Sequence, residues 1–245
     1  MPLGLQVFTV REELKTDFKG TMKTLAEMGY QAVELGGNFG GMSPSELAAF
    51  LRSLGLATCG IHTSTKELRN PDSDLYTYAA ALECPYLTTG LMHEVEKNWD
   101  NAIRDIAASA KVATAKGFTF TYHNHDPEFI KFGGKYALDI LFERTDPKIV
   151  QAEIDTYWVK KGGEDPVAYI RKYKGRVPQI HLKDMDPVDQ SFTEVGNGNM
   201  DLEAIYDAAR FAGAKWMIVE QDRWKRPALE AAEISIDNLK ARGLA

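Results

Sequence analysis

FTFTYHNHD (118–126), VQAEIDTYW (150–158), VPQIHLKD (177–184) and WMIVEQD (216–222) share one plan: a short apolar, β-branched and aromatic run that turns polar at its C-terminal end. Runs of this length and make-up read as buried strands. The groups at their ends are His123 and His125, Glu153 and Asp155, His181 and Lys183, and Glu220 and Asp222. Side chains alternate faces along a strand, so residues two apart point the same way. Four such strands side by side place imidazoles and carboxylates around one point.

Working outward, the rest of the chain repeats the pattern. Strands are expected at 4–9, 31–35, 57–62 and 85–90, and the four quoted runs supply 118–124, 150–156, 177–183 and 216–221. Amphipathic segments lie at 17–28, 44–54, 72–83, 97–116, 134–144, 164–174, 201–212 and 227–241. In 97–116, Trp99, Ile103, Ile106, Ala107, Ala110 and Val112 recur at roughly helical spacing between charges. Ser43-Pro44, Asp165-Pro166 and Asp201 are helix-start signals. Eight strands, each followed by a helix, predict a closed α/β barrel, the (β/α)₈ TIM barrel, as a single domain over 1–245. A doubly wound open sheet is the competitor, and it normally carries a glycine-rich phosphate turn after its first strand. Here that position reads Thr9-Val10-Arg11-Glu12-Glu13. The segment 184–200, with Gly196 and Gly198, reads as a loop over the barrel mouth.

Composition narrows the function. The chain has 245 residues, 44% apolar and 26% charged, as soluble globular proteins do. No stretch approaches the apolar length of a membrane span. The start, MPLGLQVFTVREEL, has no basic leader followed by an apolar segment, so no signal peptide is expected. Cys59 and Cys84 sit in or beside apolar runs, as buried thiols do, and a cytoplasmic setting follows as the expectation. Twenty-nine basic against thirty-five acidic residues give a net charge of −6. Nucleic-acid binding draws most of its affinity from a basic excess, so it is not expected.

Barrel enzymes place their chemistry at the C-terminal ends of the strands. A single histidine there is as readily a buried hydrogen-bonding group as a ligand. The joint pattern weighs more: the last four strands end with His123, Asp155, His181 and Glu220. Two imidazoles and two carboxylates suit one divalent ion, whether manganese, cobalt, zinc or magnesium, and leave the filled site formally neutral.

In this order, LGLQVFTVREEL, GYQAVEL, YHNHD, EIDTYW, HLKD and VEQD resemble the xylose isomerase-like barrels, the superfamily of sugar (phosphate) isomerases and epimerases that includes endonuclease IV. The resemblance spans nearly the whole chain. It implies one divalent metal held by glutamate, aspartate, histidine and glutamate from the last four strands, the last three being Asp155, His181 and Glu220 here. His123 stands where a ligand glutamate is usual. In the epimerases of the family two metal-bound glutamates face opposite sides of the substrate carbon; with His123, only Glu220 remains. A metal-bound imidazole has committed its lone pair and is a poor base. Inosose dehydratases resemble this chain in a histidine-rich fifth strand, which brings elimination of water into contention. A trinuclear zinc nuclease needs more histidines than His62, His93, His123, His125 and His181 supply.

Other residues receive roles by position. Lys183 would face an oxyanion or hydroxyl, or else pair with a carboxylate. Glu153 lies one step deeper than Asp155 and would orient His123 or Lys183, or touch substrate. His62 and His125 are placed for substrate hydroxyls. Gln6, Phe8 and Trp158 would wall the site, and Glu34 either binds substrate or is a buried paired group. Arg223 would meet an anionic group or lie exposed, and His93 reads as surface. The first functional expectation is a metal-dependent sugar isomerase or epimerase working beside a carbonyl through an enediolate, with Glu220 moving the proton and Lys183 stabilising charge. The alternative is a lyase or dehydratase on a keto-polyol or keto-glycoside; a non-catalytic sugar-binding barrel is the third. The expected partner is a small non-phosphorylated sugar or polyol, and a homo-oligomer is what the resemblance implies.

Overall fold

The computed structural model describes residues 1–245 and contains a closed parallel barrel. Its strands are β1 (Leu3–Gln6), β2 (Ala32–Leu35), β3 (Ala57–His62), β4 (Tyr86–Thr89), β5 (Thr119–His123), β6 (Val150–Asp155), β7 (Gln179–Leu182) and β8 (Trp216–Val219). Each pairs with its sequence neighbours, and β1 closes on β8 through Leu3↔Met217 and Leu5↔Val219. The expected fold is therefore present. No helix is long and apolar enough to cross a membrane.

Local chemistry sets the elements. Ser43 caps the helix Pro44–Ser53: its hydroxyl accepts from Glu46 N, the Glu46 carboxylate accepts from Ser43 N, and proline stands at the helix start. Asp17, Asp165 and Asp201 cap other helices by accepting from Gly20 N, Val167 N and Ala204 N. The apolar faces of the helices pack on the outside of the strands, where Leu47, Ile61, Leu87, Ile106, Phe120 and Ile154 are fully buried. Each such side chain contributes about 1.5–3 kcal/mol of hydrophobic stabilisation.

The barrel interior, in contrast, is polar. Gln6, Glu34, Thr88, Thr121, Glu153, Gln179 and His181 are buried inside it and bond to one another. The Thr88 and Thr121 hydroxyls lie 2.7 Å apart, Thr121 Oγ1 donates to Gln179 Oε1 at 3.0 Å, and Gln179 Nε2 donates to Cys59 O at 3.1 Å. Gly60 on β3 makes room for this layer: a Cβ there would sit 2.3 Å from Glu34 Oε1.

Three segments that shape the barrel mouth depart from expectation. The chain leaves β1 at Gln6 and turns at once into a 3₁₀ turn, Val7–Val10, and a short helix, Arg11–Thr16, because the Gln6 side chain accepts from Phe8 N. Asp155 ends β6 and caps a further helix, Thr156–Lys161, by accepting from Trp158 N. Within 184–200, Asp184–Met185 and Phe192–Thr193 form a small antiparallel hairpin. The Asp184 carboxylate fastens it by accepting from Met185 N, Gly196 N, Gly198 N and Met200 N at 2.8–3.1 Å.

Candidate metal centre at the barrel mouth

The C-terminal ends of the strands floor a cavity of 890 Å³. His62, His123, Lys183 and Glu220 reach it from below, and Gln6, Phe8, Arg11, Tyr157, Trp158 and Phe192 stand in its walls. His125, Asp222 and Arg223 also line it. Glu34, Glu153, Asp155 and His181 are fully buried beneath.

Two groups of side chains come close enough to hold an ion. His123, Asp155, His181 and Glu220 offer ligand atoms all within 4.8 Å of one another, and so do His62, His123, Glu153 and His181. The second group is already closed upon itself. Glu153 Oε1 lies 2.6 Å from His62 Nε2, 2.9 Å from His123 Nδ1 and 3.0 Å from His181 Nε2, which are hydrogen-bond distances. In the first group, His123 Nε2 lies 3.6 Å from Asp155 Oδ2 and His181 Nδ1 lies 2.9 Å from Glu220 Oε2. Asp155 Oδ1 accepts from Trp158 N, while the buried Oδ2 faces the Lys183 ammonium at 3.0 Å and His123 Nε2 at 3.6 Å.

The charges point the same way. Lys183 Nζ lies 3.0 Å from Asp155 Oδ2, 2.7 Å from Glu220 Oε2 and 2.9 Å from Asp222 Oδ1. Three carboxylates around one ammonium leave two negative charges, which one divalent ion offsets. The residues present therefore fit a divalent metal at His123, Asp155, His181 and Glu220.

Electrostatics at the floor are strongly divided. Burial works against the Lys183 ammonium, yet Asp155, Glu220 and Asp222 hold its pKa well above the usual range. Burial likewise opposes ionisation of Glu220, but Lys183 and His181 keep it a carboxylate far below the usual range. Burial, then the Glu220 charge, push Asp222 up to about 6. Burial and the neighbouring histidines hold His123 neutral, as a ligand must be. His181 is desolvated too, but Glu153, Glu34 and Glu220 raise it, so metal binding there releases a proton. Burial and then the Lys183 charge lower His125 to about 3, leaving a neutral ring at the wall.

The expected site residues fall into three places. His123, Asp155, His181, Glu220 and Lys183 come together at the floor. His62, His125, Trp158 and Arg223 line the cavity, Arg223 exposed at the rim. Glu153, considered for substrate contact, does not line it and bonds the histidines from below. Glu34 is a buried paired group: its Oε2 lies 2.6 Å from His181 Nε2 and accepts from Gln6 Nε2 at 2.8 Å. Asp222 had no assigned role, although its two-residue spacing from Glu220 carries the signal. Phe192 and Tyr157 were missed as walls; their rings stack at 4.1 Å because the hairpin folds Phe192 back over the Thr156–Lys161 helix. No local pattern in 184–200 announces that contact.

Fold and floor together define an α/β barrel with a buried histidine and carboxylate cluster able to hold a metal at its mouth. The xylose isomerase-like TIM barrel family model matches residues 22–242, and the chain belongs to that family. It is 27% identical over 146 residues to an inosose dehydratase of Clostridium tetani, covering 52% of this chain and 48% of the relative; the chain spans about half the length of that relative. A sugar phosphate isomerase/epimerase of Parabacteroides distasonis superposes with a TM-score of 0.81 at 23% identity, over 98% of this chain and 97% of the other. A zinc-binding IOLI protein superposes with a TM-score of 0.73 at 15% identity, over 100% and 98%. At those identities the two structures share the fold.

Proposed function

We propose that this chain is a divalent-metal-dependent enzyme that draws a proton from the carbon beside the carbonyl of a sugar or polyol, and that it acts as a dehydratase or lyase. The observation that carries the proposal is the floor itself: four ligand-quality groups whose donor atoms all lie within 4.8 Å of one another, next to an ammonium surrounded by carboxylates. The zinc in the IOLI neighbour supports the metal reading without naming the ion used here. Bound at His123, Asp155, His181 and Glu220, the ion would act as a Lewis acid that lowers the cost of an enediolate.

The protein's own groups do the rest. Glu220, an ionised carboxylate lining the cavity, takes the proton. Lys183, fixed by its three carboxylates, keeps a positive charge beside the oxygen on which negative charge develops. His125 is a neutral hydrogen-bonding partner for a hydroxyl, and Phe8, Trp158 and Phe192 give apolar faces for the C–H side of the ring. The two carboxylates lining the cavity, Glu220 and Asp222, both follow β8; histidines occupy the wall after β3 and β5. Proton transfer by carboxylate is thus confined to one side, which speaks against inversion between two opposed glutamates.

Two outcomes suit a single base. In elimination, Glu220 takes the proton, the C–O bond beyond it breaks as the C=C bond forms, and the departing hydroxide recovers the proton from Glu220 and leaves as water. The relation to an inosose dehydratase favours this. Isomerisation is the second reading, favoured by the same one-sided base, which can return the proton to the neighbouring carbon. Incubation of the metal-loaded protein with an inosose and a panel of keto-sugars in heavy water separates them. An unsaturated product supports elimination, deuterium in recovered isomer supports isomerisation, and neither, with metal bound, overturns the enzyme reading in favour of a sugar-binding barrel.

A further inference from the structure

The layer beneath the mouth has a job that the mechanism above does not use. Glu34 on β2 and Glu153 on β6 are both fully buried, and neither lines the cavity. Burying carboxylates costs several kcal/mol each, so two of them side by side in a barrel need strong compensation. They find it in ring nitrogens. Glu153 Oε1 meets His62 Nε2, His123 Nδ1 and His181 Nε2 at 2.6–3.0 Å, and Glu34 Oε2 meets His181 Nε2 at 2.6 Å. The remaining contacts hold the carboxylates themselves: Gln6 Nε2 on Glu34 Oε2 at 2.8 Å, Gln179 Nε2 on Glu34 Oε1 at 3.3 Å, and Thr88 Oγ1 on Glu153 Oε2 at 3.4 Å.

We infer that Glu34 and Glu153 are positioning residues that select which nitrogen His123 and His181 present to the metal. The inference rests on the metal-site reading above. An ionised carboxylate only accepts, so an imidazole nitrogen bonded to it carries the hydrogen and the other nitrogen keeps the lone pair. For His123 the tethered atom is Nδ1, which turns Nε2 towards Asp155 Oδ2, 3.6 Å away. For His181 both nitrogens meet carboxylates, Nε2 with Glu34 Oε2 at 2.6 Å and Nδ1 with Glu220 Oε2 at 2.9 Å; once Glu220 serves as a ligand, only Nε2 keeps a carboxylate to hold its hydrogen, and Nδ1 is the atom left for the ion. The two rings thus offer different nitrogens to one point, and the shared anchor below explains both choices. The negative charge behind each ring also raises its basicity as a ligand. Gly60 belongs to the same arrangement, since any side chain there would strike Glu34.

The test is cobalt(II) binding to the full chain, read by calorimetry and by the visible spectrum of the bound ion, in wild type, Glu153→Gln, Glu34→Gln, His123→Glu and His123→Glu/Glu153→Gln. A glutamine amide donates towards the ring and disturbs the tautomer. Each single glutamine variant is therefore expected to lose about 10–100-fold in cobalt affinity and to shift the spectrum. A carboxylate at position 123 needs no tautomer, so Glu153→Gln should cost less in the His123→Glu background, where His181 is the one ligand ring that still meets it; a packing role would cost the same in both. If Glu153→Gln unfolds, Glu34→Gln tests the same claim through His181. Wild-type affinity and spectrum in both glutamine variants overturn the inference and leave the metal site standing. Failure of wild type to bind cobalt overturns both.

Discussion

Replacing Lys183 with methionine removes one positive charge and leaves the length of the side chain. In the structure that charge is 1% exposed and lies within 3.0 Å of oxygens from Asp155, Glu220 and Asp222. Breaking a buried pair by removing one partner costs about 3–5 kcal/mol, because the other partner stays buried and uncompensated. Here three carboxylates lose their cation. Asp222, however, is 20% exposed and raised to about 6, so water and a proton relieve part of the strain. We therefore expect about 3 kcal/mol, which for a chain of this size lowers the melting temperature by roughly 6–12 °C in metal-free buffer. Because the variant leaves a more negative site, manganese should raise its melting temperature by more than it raises that of wild type. Turnover at saturating metal should fall about 10²–10³-fold, the usual cost of losing one charge-stabilising group. The assays are thermal unfolding by circular dichroism with and without manganese, and product formation on whichever substrate is turned over. A variant that melts within roughly 2 °C of wild type without metal would refute the argument, since no uncompensated carboxylate cluster would then exist.

Two further outcomes follow from the same geometry. Asp155→Ala and His181→Ala should each abolish stoichiometric metal by elemental analysis of the purified protein, and retention of metal in both would mean that the ion sits elsewhere. Away from the floor, burial pushes Glu128 up from an ordinary 4.5 to about 7, despite hydrogen bonds from Tyr122 Oη and His125 N. Between those values the folded chain holds a proton that the unfolded chain has released, so this group makes stability fall as pH rises through that window, by about 3 kcal/mol in all, and level off above it. Chemical denaturation from about pH 4 to about pH 8 should therefore show a shallower decline in Glu128→Gln than in wild type; parallel curves would count against it.

Much of the site could be read along the chain because strand geometry is local. Glu153 and Asp155, His181 and Lys183, and Glu220 and Asp222 do face inward in pairs, as a two-residue repeat requires. Depth along one strand could be read too, since Glu153 was expected a step below Asp155 and meets the His123 ring there; what could not be read was which groups each meets across the barrel. Glu153 lies level with the rings of His62, His123 and His181 and Asp155 with the lysine, a matching of levels set by strand stagger in the closed barrel. Trp158 was expected in the wall, and it stands there on a short helix that Asp155, one of the candidate ligands, caps.

Alternation of apolar strands with amphipathic helices, and polar groups at the strand ends, were enough by themselves to determine a barrel and the residue types gathered at its mouth, since both follow from side-chain direction over a few residues. The tertiary structure alone decided which ring nitrogen meets which carboxylate. Glu34 and His181 are 147 residues apart and touch at 2.6 Å. Such a contact depends on barrel closure and on the stagger across it, and no segment carries either in isolation.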